Sequence, residues 1–377
     1  AVIGAALILG AGAGRWAGAV LRLAPLRGLG LISYSLYLWH WPVIVLAEYW
    51  LIRDLRPLEA VAVGALSLAL AGLSWRLVEQ PARRPGSRFA PVGWSALAGY
   101  GAVAALAGTL WAGQGWPGRL PEEAGRLNAA VGTHFRCGVG DLRPFGGSRA
   151  CQIGAEGAGP EAAEVVLVGN SHAQMYAPLV GALLAEAGQP GLLVPLNACL
   201  PTPALNISEP CAAAARANYR AITALPDLRR VVIAQSWPED RLPNAGATPA
   251  ARALAQAEAT VALADAHAAR GIAPILVGPI PVPGIDLASV LSRQIAFGKA
   301  ERAEAGMPRA AFEAVYGPAI ARLEASGHAV IRPDRVLCGA ETCAFVTPQT
   351  VFFSDSNHLA EAALPAFRPA FAAALGD

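Results

Sequence analysis

Two short stretches of this chain hold residues that together could activate a hydroxyl group. The first is Gly169-Asn170-Ser171-His172, placed at the end of the apolar run Val165–Val168 and just ahead of a helix-like stretch. The second is Ser354-Asp355-Ser356-Asn357-His358, near the C-terminus. A serine hydroxyl is a weak nucleophile until an imidazole takes its proton. The imidazole in turn needs an acceptor that fixes its tautomer and stabilises the imidazolium. Ser171, His358 and Asp355 have the types for those three roles, and the chemistry they support is acyl transfer, to water or to another hydroxyl. Asp355 and His358 are three apart at the start of the last helix-like run, a spacing that sets both on one helix face. Each also has a plainer explanation: Ser171 as a turn residue, Asp355 as a helix N-cap, His358 as a surface residue. The combination favours the triad.

These groups need a scaffold. Strand-like apolar runs cover 164–169, 191–196, 230–235, 273–278 and 328–333, and helix-like runs lie near 173–187, 212–225, 248–270, 309–326 and 357–375. Continuous apolar strands alternating with helices predict a parallel sheet covered on both faces. Such sheets place reactive groups beyond the carboxyl ends of their strands, where Ser171 stands. His134, His267 and His328 show no ligand spacing and read as structural or exposed, and neither a metal site nor a phosphate loop is visible.

The chain has 377 residues, with 54% hydrophobic residues, 15% charged residues and a net charge of +2. Its mean hydropathy is +0.41. Charge is well below the roughly 25% of a soluble domain, and the basic residues are too few and scattered for nucleic-acid binding. Six cysteines lie at 137, 151, 199, 211, 338 and 343. Neighbour pairing (137 with 151, 199 with 211, 338 with 343) is expected because each pair closes a short loop-like stretch. Six reduced core cysteines are the alternative.

The charge deficit sits in the N-terminal third. Apolar stretches at about 29–52, 58–78 and 92–111 suit the roughly 20 residues of a membrane-spanning helix, with buried helices of a soluble protein as the alternative. A shorter piece, 1–14, reads as the tail of a fourth helix, and the chain, starting without Met, reads as part of a longer protein. Arg15, Arg22 and Arg27 precede the first span, and Arg76, Arg83, Arg84 and Arg88 follow the second. The positive-inside rule puts both groups in the cytoplasm and everything after about 115 outside it. That compartment permits disulfides. His40, in Ser33-Tyr34-Ser35-Leu36-Tyr37-Leu38-Trp39-His40-Trp41-Pro42, is an ionisable group at or near membrane depth, functional by default or an interfacial neighbour of the belt aromatics.

The stretch around His40 resembles the late helices of the acyltransferase 3 family, and Leu77-Val78-Glu79-Gln80-Pro81-Ala82-Arg83-Arg84 is similar to that family's exit from this region. Some members continue into an extracytoplasmic SGNH-hydrolase-like domain. The serine after the first strand, with Asp and His in one late segment, resembles that domain rather than an α/β-hydrolase, whose serine elbow follows several strands. Asn170 stands where the SGNH family commonly has Asp.

The resemblance implies three regions: transmembrane helices over 1–112, an extracytoplasmic lead-in over 113–160, and an SGNH-like three-layer α/β domain with about five parallel strands over 161–377. It implies oxyanion donors at the Ser171 backbone and near Asn197, Trp237 where the family's third block usually has Asn (Gln235 or Ser236 as substitute donors), and a substrate contact at His172. For Asn197 and Trp237, a turn cap and a core residue are the respective alternatives. The implied activity is O-acetyl transfer to a cell-surface glycan (lipopolysaccharide, capsule or peptidoglycan) at a bacterial inner membrane. The acyl donor, acetyl-CoA, would be used by an upstream membrane portion. An anchored esterase and an inactive glycan-binding module are the rival readings.

Overall fold

The computed structural model describes Ala19 and residues 23–83, 89–156, 159–238, 240–243 and 246–376. The N-terminal apolar piece and Arg15, Arg22, Arg84 and Arg88 lie outside them. The chain divides into two compact units, Ala1–Arg119 and Leu120–Asp377.

The first unit holds α1 (Ala24–Leu51), α2 (Pro57–Ser74, running on through a π-helical turn, Trp75–Glu79, and Gln80–Arg83) and α3 (Phe89–Ala112). Pro57 opens α2 at a position where its missing N–H costs nothing, and Glu59 accepts from the Arg56 backbone N–H at 2.8 Å. Among the described residues, three helices are long and apolar enough to cross a membrane: Ala24–Leu51, Pro57–Arg83 and Gly93–Ala112. They are apolar around most of their circumference, as a lipid-facing helix must be. Among their polar groups, Ser35 Oγ donates to Glu79 Oε2 at 2.8 Å, while Glu79 also pairs with Arg83.

The second unit begins with α4 (Glu122–Ala130) and the strands β1 (Arg143–Phe145) and β2 (Ser148–Gly154). Then follow β3 (Val165–Gly169), α5 (Ser171–Glu186), β4 (Pro190–Pro195), α6 (Glu209–Thr223), β5 (Arg230–Ala234), α7 (Pro249–Ala268) and β6 (Ala273–Val277). The last part holds α8 (Leu287–Ala296), β7 (Gly306–Pro308), α9 (Arg309–Glu324), β8 (Ala329–Ile331), α10 (Asp334–Leu337), β9 (Thr342–Ala344), a 3₁₀ helix (Glu361–Phe367) and α11 (Arg368–Leu375). Asn170, Ser208 and Thr248 cap α5, α6 and α7 with side-chain oxygens, which satisfies first-turn N–H groups.

The sheet runs β1-β2-β4-β3-β5-β6-β8. The five expected strands, β4, β3, β5, β6 and β8, pair in parallel, and β2 and β1 extend the edge antiparallel. Those two edge strands and α4 come from the stretch expected to be a lead-in, so residues from Leu120 onward belong to the folded unit. β3 is buried on both faces. Val165 and Leu167 pack toward the cluster of Leu127, Met175, Phe367 and Phe371, and Val166 and Val168 toward that of Ile222, Val261 and Phe312. The result is a three-layer domain. Strands β4 and β5 flank β3, the switch point at which such sheets place their sites. All three expected disulfides form, Cys137–Cys151, Cys199–Cys211 and Cys338–Cys343.

Two stability outcomes follow. A Cβ at Gly169 would sit 1.6 Å from the Ala234 carbonyl oxygen. Gly169→Ala therefore forces β3 and β5 apart, and chemical denaturation should show a loss of about 3 kcal/mol or more. His267 on α7 is buried, with Nδ1 unpaired, and burial, aided by the charge of Arg270, pushes it down to about 4 from 6.5. The unfolded chain then binds a proton that the folded chain refuses. Stability at neutral pH should fall as pH drops from about 6.5 toward 4, and His267→Phe should reduce that dependence in thermal unfolding across pH. Parallel profiles for the two proteins would refute it.

Candidate active site

Ser171 is the first residue of α5 and is half-buried. Asn170 sets it in place. Asn170 Oδ1 accepts from the backbone N–H of His172 at 3.0 Å and of Ser236 at 3.1 Å, and Nδ2 donates to Ser236 Oγ at 2.8 Å. An amide supplies acceptor and donor at once, so this residue stitches the end of β3 to the end of β5 without a charge. Met175, one turn along and hence on the same helix face as Ser171, accepts the Leu359 N–H at 3.4 Å. That contact lays the segment bearing His358 against the serine's helix.

Asp355 and His358 lie in a tight loop ahead of the C-terminal helix, not on its first turn as expected. The loop is closed by a bridge between Phe353 and Leu359 and by the Ser354 N–H donating to the His358 carbonyl at 2.9 Å. Asp355 Oδ1 accepts from the backbone N–H groups of Asn357 and His358 at 2.9 and 2.7 Å, and Oδ2 takes the His358 Nδ1–H at 2.7 Å. Partial burial pushes the Asp355 carboxyl up. The hydrogen bonds from His358 and Asn357, with the charge of His358, outweigh it and hold Asp355 well below the usual carboxylate range. With Nδ1 thus engaged, a neutral His358 leaves Nε2 as the proton acceptor. That nitrogen is buried and has no hydrogen-bond partner. No hydrogen bond joins it to Ser171 Oγ in this structure, and such bonds often tighten only when substrate binds.

His134, read from the sequence as structural or exposed, is the residue that reading missed. It follows α4, stacks on the His358 ring at 4.5 Å between centroids and 20° between planes, and contacts both Ser354 Oγ at 3.0 Å and Asp355 Oδ2 at 3.4 Å. Burial, then the charges of His358 and Arg136, hold its basicity below the ordinary value against the opposing pull of Asp355. No local motif marks it, because its partners lie more than 200 residues away.

The remaining expected residues divide. Asn197 is exposed beyond β4, and its Oδ1 accepts from Gln174 Nε2 and from Arg136 at 3.4 Å. Among the described residues, neither the Asn197 nor the Ser171 backbone N–H meets an acceptor. Trp237 is buried in the core cluster beneath the sheet, and its carbonyl accepts from Tyr316 Oη at 2.9 Å. That matches the core alternative. Gln235 is buried against Thr260, whereas Ser236 is half-buried beside Asn170. His172 is 3% exposed with its ring 5.5 Å from His358, a core neighbour rather than an open contact for substrate. Burial, with the charges of His358 and Arg136, takes it down to about 3. In the first unit His40 Nδ1 bonds the Tyr37 and Leu36 carbonyls at 2.8 and 3.1 Å, and the ring lines a groove of about 680 Å³ with Ser33, Tyr37 and Ser67.

His134, Asp355 and His358 offer ligand atoms within 4.8 Å of one another. Two ligands on one tetrahedral zinc lie roughly 3.3 Å apart. The 2.7 Å between Asp355 Oδ2 and His358 Nδ1 is a direct hydrogen bond, shorter than that spacing.

Several known proteins resemble parts of this chain. A 67-residue segment is 46% identical to the "putative membrane-bound transacylase BcsY" of Komagataeibacter xylinus and covers 18% of this chain and 16% of that protein. An equally long match to the "O-acetyltransferase OatA" of Staphylococcus aureus is 39% identical over 11% of that protein. The chain thus matches only a small part of these relatives. The solved periplasmic domain of a lipopolysaccharide acetyltransferase from Salmonella ser. Paratyphi A is similar at 11% identity and a TM-score of 0.44, covering 67% of this chain and 94% of that one. The family model described as "SGNH domain (fused to AT3 domains)" matches residues 136–373. With the serine beyond the first parallel strand and the Asp–His loop against its helix, the chain belongs to this family of SGNH domains.

Proposed function

We propose that this protein is a membrane O-acyltransferase that moves an acetyl group onto hydroxyls of a cell-surface glycan through an acyl-enzyme on Ser171. The observation carrying the reading is the Asp355–His358 pair, with Nδ1 committed at 2.7 Å and Nε2 unengaged beside the serine's helix. His358 Nε2 takes the Ser171 proton as Oγ attacks the acyl carbonyl. The N–H groups of Ser171 and Asn197 receive the developing oxyanion, where each well-placed donor contributes about 2.7–4 kcal/mol. His358 then returns the proton to the leaving group. In the second half a sugar hydroxyl gives its proton to His358 and attacks the acyl carbon, and collapse regenerates Ser171.

The three apolar helices are read as multiple spans of a bacterial inner membrane, with the SGNH domain on the oxidising, periplasmic side. Acetyl-CoA is the proposed first donor, used by a membrane portion upstream of these helices. An attached membrane unit favours transfer over simple hydrolysis, because an esterase has no need of acyl delivery.

Ser171→Ala and His358→Ala, made in the full-length protein, should abolish glycan acetylation in membranes, scored by mass analysis of the surface polysaccharide. Asp355→Asn, which frees the imidazole to take the wrong tautomer, should lower the rate by about 10⁴-fold. Normal acetylation in Ser171→Ala would overturn the acyl-enzyme. Acetate release without glycan transfer in the wild type would establish the esterase instead.

A further inference from the structure

We propose that His134 is a positioning residue of the acyl-transfer site, contributed by the segment between α4 and β1, which holds the Asp355–His358 loop and supports the ring of the general base. The inference rests on the acyl-enzyme reading above.

The segment is fastened to the loop at two points. The Gly132 N–H donates to the Ser354 carbonyl at 3.0 Å, and His134 Nδ1 bonds Ser354 Oγ at 3.0 Å. Ser354 Oγ lies 3.3 Å from the His358 carbonyl oxygen, to which it donates. The hydroxyl has one proton; given to that carbonyl, it leaves Ser354 Oγ to accept from His134, and this assigns the hydrogen to His134 Nδ1. The chain of donors therefore runs from His134 through Ser354 to the backbone of His358. It adds to the Asp355 bonds in fixing where His358 sits. The segment's own ends are secured. Buried Leu127 and Ala130 hold α4 in the core, Ser292 Oγ on α8 donates to the Ala124 carbonyl, and Cys137–Cys151 fixes the far end to β2.

The stacking contact has a second effect. His358 becomes an imidazolium in each half-reaction, and a neutral ring 4.5 Å away on its face tolerates that charge. A second cation there would oppose it. The charged or titratable groups facing His134 are Asp355 and His358 on the loop and Arg136 on its own segment, with the His172 ring of α5 5.5 Å from that of His358. Burial, then His358 and last Arg136, disfavour protonation of His134 against the pull of Asp355, which favours the neutral ring beside a charged neighbour.

The test uses His134→Ala, His134→Asn and His134→Phe in the full-length protein in membranes, beside Ser171→Ala. Rates are read as fluorophosphonate labelling of the serine and as turnover of p-nitrophenyl acetate, with kcat and KM separated and Tm recorded. His134→Ala should lose about 100-fold in kcat with little change in KM, as expected when a reacting group drifts by about 1 Å. Asn, whose side-chain NH₂ can replace Nδ1–H toward Ser354, should recover most of it. Phe keeps the stack but leaves Ser354 without a donor, and should fall between. Wild-type kcat in His134→Ala while Ser171→Ala is inactive overturns this inference and leaves the function standing. Equal losses in all three variants, in step with falling Tm, also overturn it. Full activity in Ser171→Ala overturns the acyl-enzyme and this inference with it.

Discussion

One carboxylate organises the site. Asp355 receives two backbone N–H groups and one imidazole N–H, so the same side chain shapes its own loop and fixes the tautomer of His358. Hydrogen bonds to the charged form of a carboxylate are what keep it ionised despite partial burial. Its charge is then available to stabilise the imidazolium. The loop is a few residues long and tied from several directions: the Ser354 N–H donates to the His358 carbonyl within it, the Gly132 N–H reaches the Ser354 carbonyl, and the Gly284 N–H reaches the Ser356 carbonyl.

The second constraint is topological. β3 lies in the sheet between β4 and β5, and the chain must turn sharply from β3 into α5. Gly169 allows the close approach to Ala234, and Asn170 then spans to Ser236 with both ends of its amide. Because Asn170 is a neutral amide, it both accepts and donates across this junction, which a carboxylate could not do, and adds no charge beside the serine.

Much of this was legible beforehand. The five parallel strands were visible as uninterrupted apolar runs, and the serine's place beyond the first of them followed from the order of elements. The cysteine partners were legible from short separations. The edge strands β1 and β2 were not, since Arg143–Phe145 and Ser148–Gly154 carry alternating burial, glycine and charge and read as a loop. The loop form of Asp355 and His358 was missed because three-residue spacing suits a helix as well as a turn. Trp237 and His172 stood close to the serine in sequence or motif, but burial, which decides their availability, depends on tertiary packing. His134 offered no spacing signal at all, since its only relevant neighbours are remote along the chain.

The position of the base along the chain has a bearing on biosynthesis. The base and its orienter lie within the last two dozen or so residues of the sequence, and the 3₁₀ helix and α11 that follow dock Phe367 and Phe371 against Tyr176 of the serine's own helix. A chain cut before Phe352 keeps Ser171, the sheet strands and all three disulfides but lacks Asp355 and His358. On the proposed mechanism its serine would have no group to take the proton.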